Sequence, residues 1–339
     1  MAACSAALAL LGGVIGAGFA SGREILHFFA CHGNMAPAAV LAACITLAAL
    51  FLRLPALMQQ SGSVSLAALC RFRLGPRFGR LCTALFALLC AITGAAMLTA
   101  CAELGALLLP IRHAYGISLF GSLLFCCMLS AHGLSGVALP GALLCALLPL
   151  LLVRLWALPT GEACFLAAMS PDLPVHAFSG GVAYGALSAA QLAGLLAPLA
   201  CEDARTRRNA VVLFTLLFGV LVSLGTAVCR RHLPALVHQP LPFVHLSRSL
   251  GASGYVLVAL CMYAAALSTL CAMLHALMQL FPLGILRSAC LAALCCLIPA
   301  AAGFDTLIRC GYPMLGALCA GLLGVLCLPV CPKANKADM

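Results

Sequence analysis

The chain has 339 residues, of which 65% are hydrophobic and 8% are charged, and its mean hydropathy is +1.16. Soluble proteins carry about 25% charged residues, so this composition excludes a soluble domain and predicts an integral membrane protein. The net charge of +10 is assigned to membrane topology rather than to nucleic-acid binding, because basic residues fix the orientation of membrane helices.

Apolar segments long enough to cross a bilayer recur along the whole chain, since about 20 residues suffice for one span. None alternates with the period of a strand, so the predicted fold class is an all-α polytopic membrane protein of about ten transmembrane helices. The predicted spans are 3–30, 35–58, 79–109, 116–134, 136–157, 176–202, 208–229, 251–281, 284–302 and 304–330. Between the seventh and eighth spans, Pro234, Pro240 and Pro242 indicate a structured loop or short helix.

The charges of the loops predict that both termini lie in the cytoplasm. With the N-terminus inside, the basic residues of the inner loops and tail outnumber those of the outer loops, as the positive-inside rule requires. The inner residues are Arg71, Arg73, Arg77, Arg80, Arg205, Arg207, Arg208, Arg287, Lys333 and Lys336, and the outer residues are Arg112, Arg230, Arg231 and Arg248. Residues 333–339 then form a cytoplasmic tail. The expected location is a bacterial cytoplasmic membrane, with the lipid bilayer as a partner and the oligomeric state left open.

Five glycines interrupt the first span and precede two charged residues. They are Gly12, Gly13, Gly16, Gly18 and Gly22, followed by Arg23 and Glu24, which are expected to form an ion pair. Glycine lets the backbone leave helical geometry at little cost, and the freed backbone groups must then bind a ligand, water or protein. The pattern predicts a discontinuous helix that is unwound over residues 16–21. Close helix packing through small residues is the alternative.

The chain divides near residue 160 into two halves of five spans, residues 1–160 and 161–332, which would cross the membrane in opposite directions. The sixth span opens the second half and is also rich in glycine and polar residues. These are Gly180, Gly181, Gly185, Ser188, Gln191 and Gly194. We therefore expect a second break near residues 185–191. Interrupted helices at matching positions of inverted halves indicate the binding site of a transporter.

The first-span stretch GGVIGAGFASGREILHFF resembles the opening motif of the YkvI-type membrane protein family. The stretches YGALSAAQLAGLLAPL in the sixth span and FDTLIRCGYPMLGALCAGLLG in the tenth are similar to the same family. Gln191 stands where that family more often has Asn. The resemblance extends to the amino acid–polyamine–organocation (APC) superfamily. It implies the LeuT-type fold, in which two inverted five-helix repeats place broken first and sixth helices around a mid-membrane site.

Backbone N–H groups at the start of the outer half of the first helix favour an anionic group, such as a substrate carboxylate. The first span also has no aspartate before the break, and this favours a zwitterionic or carboxylate-bearing solute over a bare amine. The candidate substrate-binding residues are Gly16, Ala17, Gly18, Phe19, Ser21, Tyr184, Ser188 and Gln191.

Two sets of residues are candidates for binding a coupling ion. In sodium-coupled members of the superfamily, hydroxyl groups of the eighth helix and carbonyls of the first bind one sodium ion, so the resemblance implies a site at Ile15, Gly18, Ser268 and Thr269. The alternative is that both hydroxyls donate to carbonyls one turn earlier. His275 in the same span is a candidate for proton coupling, with a neutral packing role as its alternative.

The outer gate is expected at Arg23 and Asp305, which resemble in position an arginine–aspartate pair of the LeuT-type fold. Glu103, near the outer end of the third span, is a further gate candidate. The alternative is local, because Arg23 can extend to the membrane interface while Asp305 pairs with Arg309 four residues along its helix.

The predicted function is secondary transport of a small organic solute, an amino acid or another carboxylate-bearing compound, by alternating access coupled to sodium or protons. A non-transporting receptor of the same fold is the main alternative. An intramembrane enzyme is disfavoured because the chain has no HExxH motif, no mid-membrane aspartate pair and no recognisable Ser/His pair. No cofactor or metal site is predicted, and the 22 cysteines are expected to be packing residues.

Overall fold

The computed structural model describes residues 2–63, 65–131, 138–159, 174–280 and 284–328. These residues form helices and their connections around a continuous hydrophobic core, and no strand occurs among them. The predicted all-α polytopic fold is thus confirmed. The boundary at residue 160 and the tail 333–339 lie outside the described residues, as do the ends of several predicted spans at 132–134, 136–137, 281 and 329–330.

The first span consists of three helices: α1 (Ala2–Val14), α2 (Ala17–Ser21) and α3 (Arg23–Phe28). The remaining helices follow in chain order. They are α4 (Ala36–Ser61), α5 (Leu66–Leu74), α6 (Pro76–Leu108), α7 (Ala114–Ala131), α8 (Ala138–Trp156), α9 (Pro174–Gln191), α10 (Ala193–Cys201), α11 (Ala204–Arg231), α12 (Leu233–Leu236), α13 (Pro242–Ser247), α14 (Gly251–Leu280), α15 (Ile285–Ala300), α16 (Phe304–Thr306) and α17 (Tyr312–Cys327).

Every predicted span coincides with a helix or with a set of consecutive helices. Five described helical segments are long and apolar enough to cross a membrane, and α9 with α10 makes a further span that is bent by 70°. The other predicted spans coincide with shorter apolar helices: Ala3–Val14, Ala114–Ser130, Leu147–Trp156 and Ile285–Ala300. Between the seventh and eighth spans lie α12 and α13, so the prediction of a structured connection is confirmed. We call the end of the bundle that carries α12 and α13 the outer end, following the predicted orientation.

Local hydrogen bonds fix the starts of the helices that follow loops. The Ser65 hydroxyl accepts a bond from the Ala68 N–H at 3.2 Å and so caps α5. Asp203 accepts bonds from the N–H groups of Arg205 and Thr206 at 3.1 and 3.0 Å, and it caps α11 in the same way. A hydrogen bond from the Thr206 side chain, together with these backbone bonds from Thr206 and Arg205, holds the pKa of the exposed Asp203 carboxyl below its usual range.

Two glycines of the sixth span, Gly181 and Gly185, pack α9 against α4 and do not break it. The helix α9 is continuous to Gln191. A Cβ atom at Gly181 would overlap the carbonyl oxygen of Ala39, and one at Gly185 would lie 2.9 Å from the carbonyl oxygen of Ala43. Close helix packing through small residues, the alternative considered for the first span, therefore occurs in the sixth span. The break expected within 185–191 occurs one residue later, at Leu192.

We expect Gly181→Ala to destabilise the protein by about 1–3 kcal/mol, because the added methyl group meets a backbone carbonyl that cannot rotate away. The thermal unfolding of purified protein measures this effect. Gly321→Ala is the matched control, since a Cβ atom there meets open space and alanine is the better helix former by up to about 1 kcal/mol. Equal midpoints of thermal unfolding for the two variants would contradict the assigned contact between α4 and α9.

Candidate functional site

The first span is interrupted twice. Helix α1 ends at Val14, and the Gly16 N–H donates to the Val14 carbonyl at 2.8 Å where the backbone becomes extended. Helix α2 begins with Ala17 and makes little more than one turn. Gly22 then adopts φ +81°, a left-handed conformation that favours glycine. The prediction of an unwound stretch over residues 16–21 is therefore wrong, because the residues between the two interruptions are helical.

The breaks of the first and sixth spans lie side by side. A Cβ atom at Gly13 would overlap the side chain of Leu192, the residue at which α9 and α10 bend. Next to this contact the Gln191 amide donates to the Thr93 hydroxyl at 3.1 Å and joins the sixth span to the third. Thr93 is fully buried. Gln191 thus lies at the predicted site with its amide held by a neighbouring helix.

Three of the other candidate substrate-binding side chains, those of Phe19, Ser21 and Ser188, are buried. The Phe19 ring packs against Phe218, with 6.3 Å between ring centroids. The Ser21 hydroxyl donates to the Gly18 carbonyl at 2.8 Å, so it stabilises its own helix. Ser188 lies on α9 one turn from Tyr184 and is also buried.

The candidate sodium ligands of the eighth span adopt the alternative arrangement considered for them. The hydroxyls of Ser268 and Thr269 donate to the Ala265 carbonyl at 2.8 and 3.1 Å. The Thr269 hydroxyl oxygen also stands 3.1 Å from where a Cβ atom of Gly16 would be, so it faces the first break, which begins at Ile15. A hydroxyl that donates keeps lone pairs for a cation. The sodium site therefore stays a prediction.

His275 has hydrogen-bonding neighbours at both ring nitrogens. Its Nδ1 atom lies 3.2 Å from the Ser130 carbonyl oxygen, and its Nε2 atom lies 3.4 Å from the Gln279 side-chain nitrogen. This arrangement matches the packing role considered for it. Proton coupling by His275 stays a prediction.

The ion pair expected at the outer gate is formed. The Nε atom of Arg23 donates to Asp305 Oδ1 at 2.6 Å, and a second guanidinium nitrogen contacts the same oxygen. The remaining guanidinium nitrogen donates to the carbonyls of Val237 and Gln239 at 2.9 and 3.2 Å. The Arg23 side chain is 7% exposed and that of Asp305 is 40% exposed. The outer half of the first span is thereby joined to the tenth span and to the loop after α12.

The pairing of Asp305 with Arg309, which was considered as the alternative, is present as well. Arg309 donates to Asp305 Oδ2 at 3.5 Å, so the carboxylate binds two arginines. Glu103 lies beside this contact. It lines a cavity of about 270 Å³ together with Tyr115 and His245, and among the described groups its buried Oε2 atom has no hydrogen-bond partner.

The interpretation of Arg23 and Glu24 as an ion pair is wrong. Consecutive helical residues point about 100° apart, and α3 directs Arg23 to the tenth span and Glu24 into the core. The Tyr184 hydroxyl donates to Glu24 Oε2 at 3.0 Å. The carboxylate rests against Gly18, where a Cβ atom would overlap it. Glu24 is 7% exposed and is a site residue that the sequence reasoning missed.

A tyrosine of the sixth span, Tyr184, contacts this carboxylate. The Tyr184 ring lies 5.1 Å from the rings of both Phe28 and Phe29, and these contacts hold its hydroxyl toward Glu24. Tyr312 is also buried, and its hydroxyl has no hydrogen-bond partner among the described groups. It follows a π-helical turn over Leu307–Gly311, a feature often found at functional sites. In the sequence, Tyr184 and Tyr312 are polar residues within otherwise apolar spans, and this pattern is the signal that could have indicated both as site residues.

No protein-family model matches the chain, and no curated protein matches it. Solved structures of transporters do match it. A mutant form of the manganese transporter of Eremococcus coleocola aligns with 96% of this chain and 78% of its own at 16% identity and a TM-score of 0.61. The same transporter with an aromatic bis-isothiourea compound gives a TM-score of 0.60 at 15% identity, again over 96% and 78% of the two chains.

Mhp1, a transporter of the nucleobase-cation-symport-1 family in a closed conformation with bromovinylhydantoin bound, aligns with 96% of this chain and 74% of its own. The identity is 15% and the TM-score is 0.56. At such low identity the similarity concerns the fold. The chain has the LeuT-type fold, with interrupted first and sixth helices.

Proposed function

We propose that the protein is a secondary transporter that moves a small organic solute by alternating access. The observation that carries this proposal is the position of the Arg23–Asp305 contact, which joins the first and tenth spans outside two adjoining helix breaks. A helix break in a membrane exposes backbone groups that are useful for binding a solute. The structural neighbours, which are transporters, support a transport function and do not bear on the choice of solute.

The proposed solute is an amino acid or another carboxylate-bearing compound. The groups around the breaks are the Gln191 amide, the hydroxyls of Thr93 and Tyr312, and backbone groups near Gly16. Such neutral donors and acceptors suit the polar end of a small organic molecule. We further propose that residues 1–160 and 161–332 are inverted repeats, that both termini are cytoplasmic in a bacterial membrane, and that the protein is a YkvI-type family member.

A receptor that binds a solute without moving it is the competing function. The direct test is uptake by sealed proteoliposomes that contain the purified protein, after a thermal-shift screen of amino acids and carboxylates has found a ligand. We expect a hit to accumulate in the vesicles and to exchange with unlabelled solute on the other side. Binding with neither uptake nor exchange would identify a receptor.

We expect Thr269→Val to weaken sodium-dependent solute binding by about tenfold, equivalent to about 1.4 kcal/mol, if sodium binds at the first break. Valine keeps the branched shape and removes the oxygen that faces Gly16. Ligand titration with and without sodium measures the effect. Thr215→Val is the matched control, since the Thr215 hydroxyl donates to its own helix on α11 at 2.8 Å. Wild-type binding that is indifferent to sodium would remove this site from the mechanism.

We expect Arg23→Gln to impair solute uptake because the outer pathway no longer closes, and the addition of Asp305→Asn to cost little more. The two changes remove the same contact, so a double-mutant cycle should give a coupling of about 1 kcal/mol or more. Arg309→Gln is the comparison, because its pair with Asp305 is largely exposed and worth at most about 1 kcal/mol. Independent effects of the two substitutions on uptake would show that Arg23 and Asp305 do not act as a gate.

A further inference from the structure

Glu24 is a carboxylate buried in the middle of the bundle without a cation. Its hydrogen bond comes from the neutral hydroxyl of Tyr184. Among the described residues the ion pairs of this region join Asp305 to Arg23 and Arg309, and none includes Glu24. An ionised carboxylate in such surroundings is strongly unfavourable unless a partner compensates its charge. In this closed arrangement the group is therefore neutral or bound to a cation.

The group that hydrogen-bonds to Glu24 from a neighbouring helix is the neutral hydroxyl of Tyr184. Tyr184 belongs to α9 and Tyr312 to α17, and both are buried. From α11, the thiol of Cys229 points at the Gly22 carbonyl, 3.9 Å away. On the outer side of the same contact region, Asp305 accepts bonds from Arg23 and from Arg309. Gly18 leaves room for the carboxylate but adds no charge.

Glu24 and the arginine of the outer gate belong to one short helix. Helix α3 begins at Arg23, directly after the left-handed Gly22. Because adjacent residues of a helix move together, a swing of α3 about Gly22 that separates Arg23 from Asp305 also withdraws Glu24 from Tyr184. The open gate would admit water to the carboxylate, and the closed gate excludes it.

We propose that Glu24 is the proton-binding site of the transport cycle and that its protonation permits the outer gate to close. With the gate open, the hydrated carboxylate takes a proton from the outer solution and forms a neutral carboxyl group. The neutral group can then be buried against Tyr184 and Gly18 while Arg23 binds Asp305. This inference rests on the proposed transport function and assigns protons as a coupling ion, with the proton released to the inner solution when the inner pathway opens. A neutral Glu24 also removes the repulsion that a solute carboxylate would meet at the break.

The first test measures the protonation of the Glu24 carboxyl group in the absence of any solute. The chain has 8 acidic residues, so infrared difference spectra of the protein in liposomes can resolve a single buried carboxyl. We expect wild type at neutral pH to show a protonated-carboxyl band whose Glu24 component is lost in Glu24→Gln and retained in Glu103→Gln and in Glu202→Gln, the same substitution near the inner end of α10. A band that Glu24→Gln leaves unchanged, or no such band in wild type, would overturn the proposal.

The second test links the proton to the gate. Arg23→Gln should abolish the same band at neutral pH, because water then reaches Glu24, whereas Arg309→Gln should retain it. A band unchanged in Arg23→Gln would show that Glu24 and the gate are independent. If sodium at constant pH removes the band from wild type, Glu24 binds a metal cation in place of the proton, and the proposal fails.

Transport measurements separate this inference from the proposed function. In proteoliposomes, Glu24→Gln should still exchange solute for solute but should lose at least tenfold of the uptake that an inward proton gradient drives. An intact proton-driven uptake in Glu24→Gln would overturn the inference and leave the transport function standing. If wild type moves no solute at all, the transport function fails, while the solute-free infrared result still reports whether Glu24 holds a proton.

Discussion

The arrangement of the site depends on a backbone that leaves helical geometry inside an apolar core. In a membrane the freed N–H and C=O groups need partners within the protein or from a bound molecule. Gly16 provides the first departure, and the Thr269 hydroxyl lies next to it. Leu192 provides the second departure, and Gly13 lies against it. Polar groups therefore collect where the two interruptions adjoin.

The second interruption of the first span gives its outer half a separate role. Helix α3 is only six residues long and is joined to α2 through Gly22. The Arg23 side chain of α3 contacts the tenth span, and the Glu24 side chain contacts the sixth. One small element thus carries a guanidinium that is satisfied by an ion pair and a carboxyl group that has no such partner. Any movement of α3 changes the solvation of both groups at once.

The sequence was sufficient to predict the spans and their order, because stretches of about 20 apolar residues have few alternatives to a membrane helix. It was not sufficient to predict the direction of side chains across an interrupted helix, so Arg23 and Glu24 were assigned to each other. The role of the glycines in the sixth span was also ambiguous, because a glycine can either let two helices pack closely or let one helix break. Leu192 has no property that distinguishes it from its apolar neighbours. Tyr312 was missed because its position depends on the π-helical turn before it.

The central claim is that the charge state of Glu24 controls the position of α3, and hydrogen–deuterium exchange of the peptide that contains Arg23–Phe28 measures it most directly. With no solute present and intrinsic exchange rates corrected for pH, we predict slow exchange in acidic buffer and faster exchange in alkaline buffer. In Glu24→Gln, exchange should stay slow in both buffers. Exchange of this segment that does not change with pH in wild type, or that changes equally in Glu24→Gln, would contradict the account.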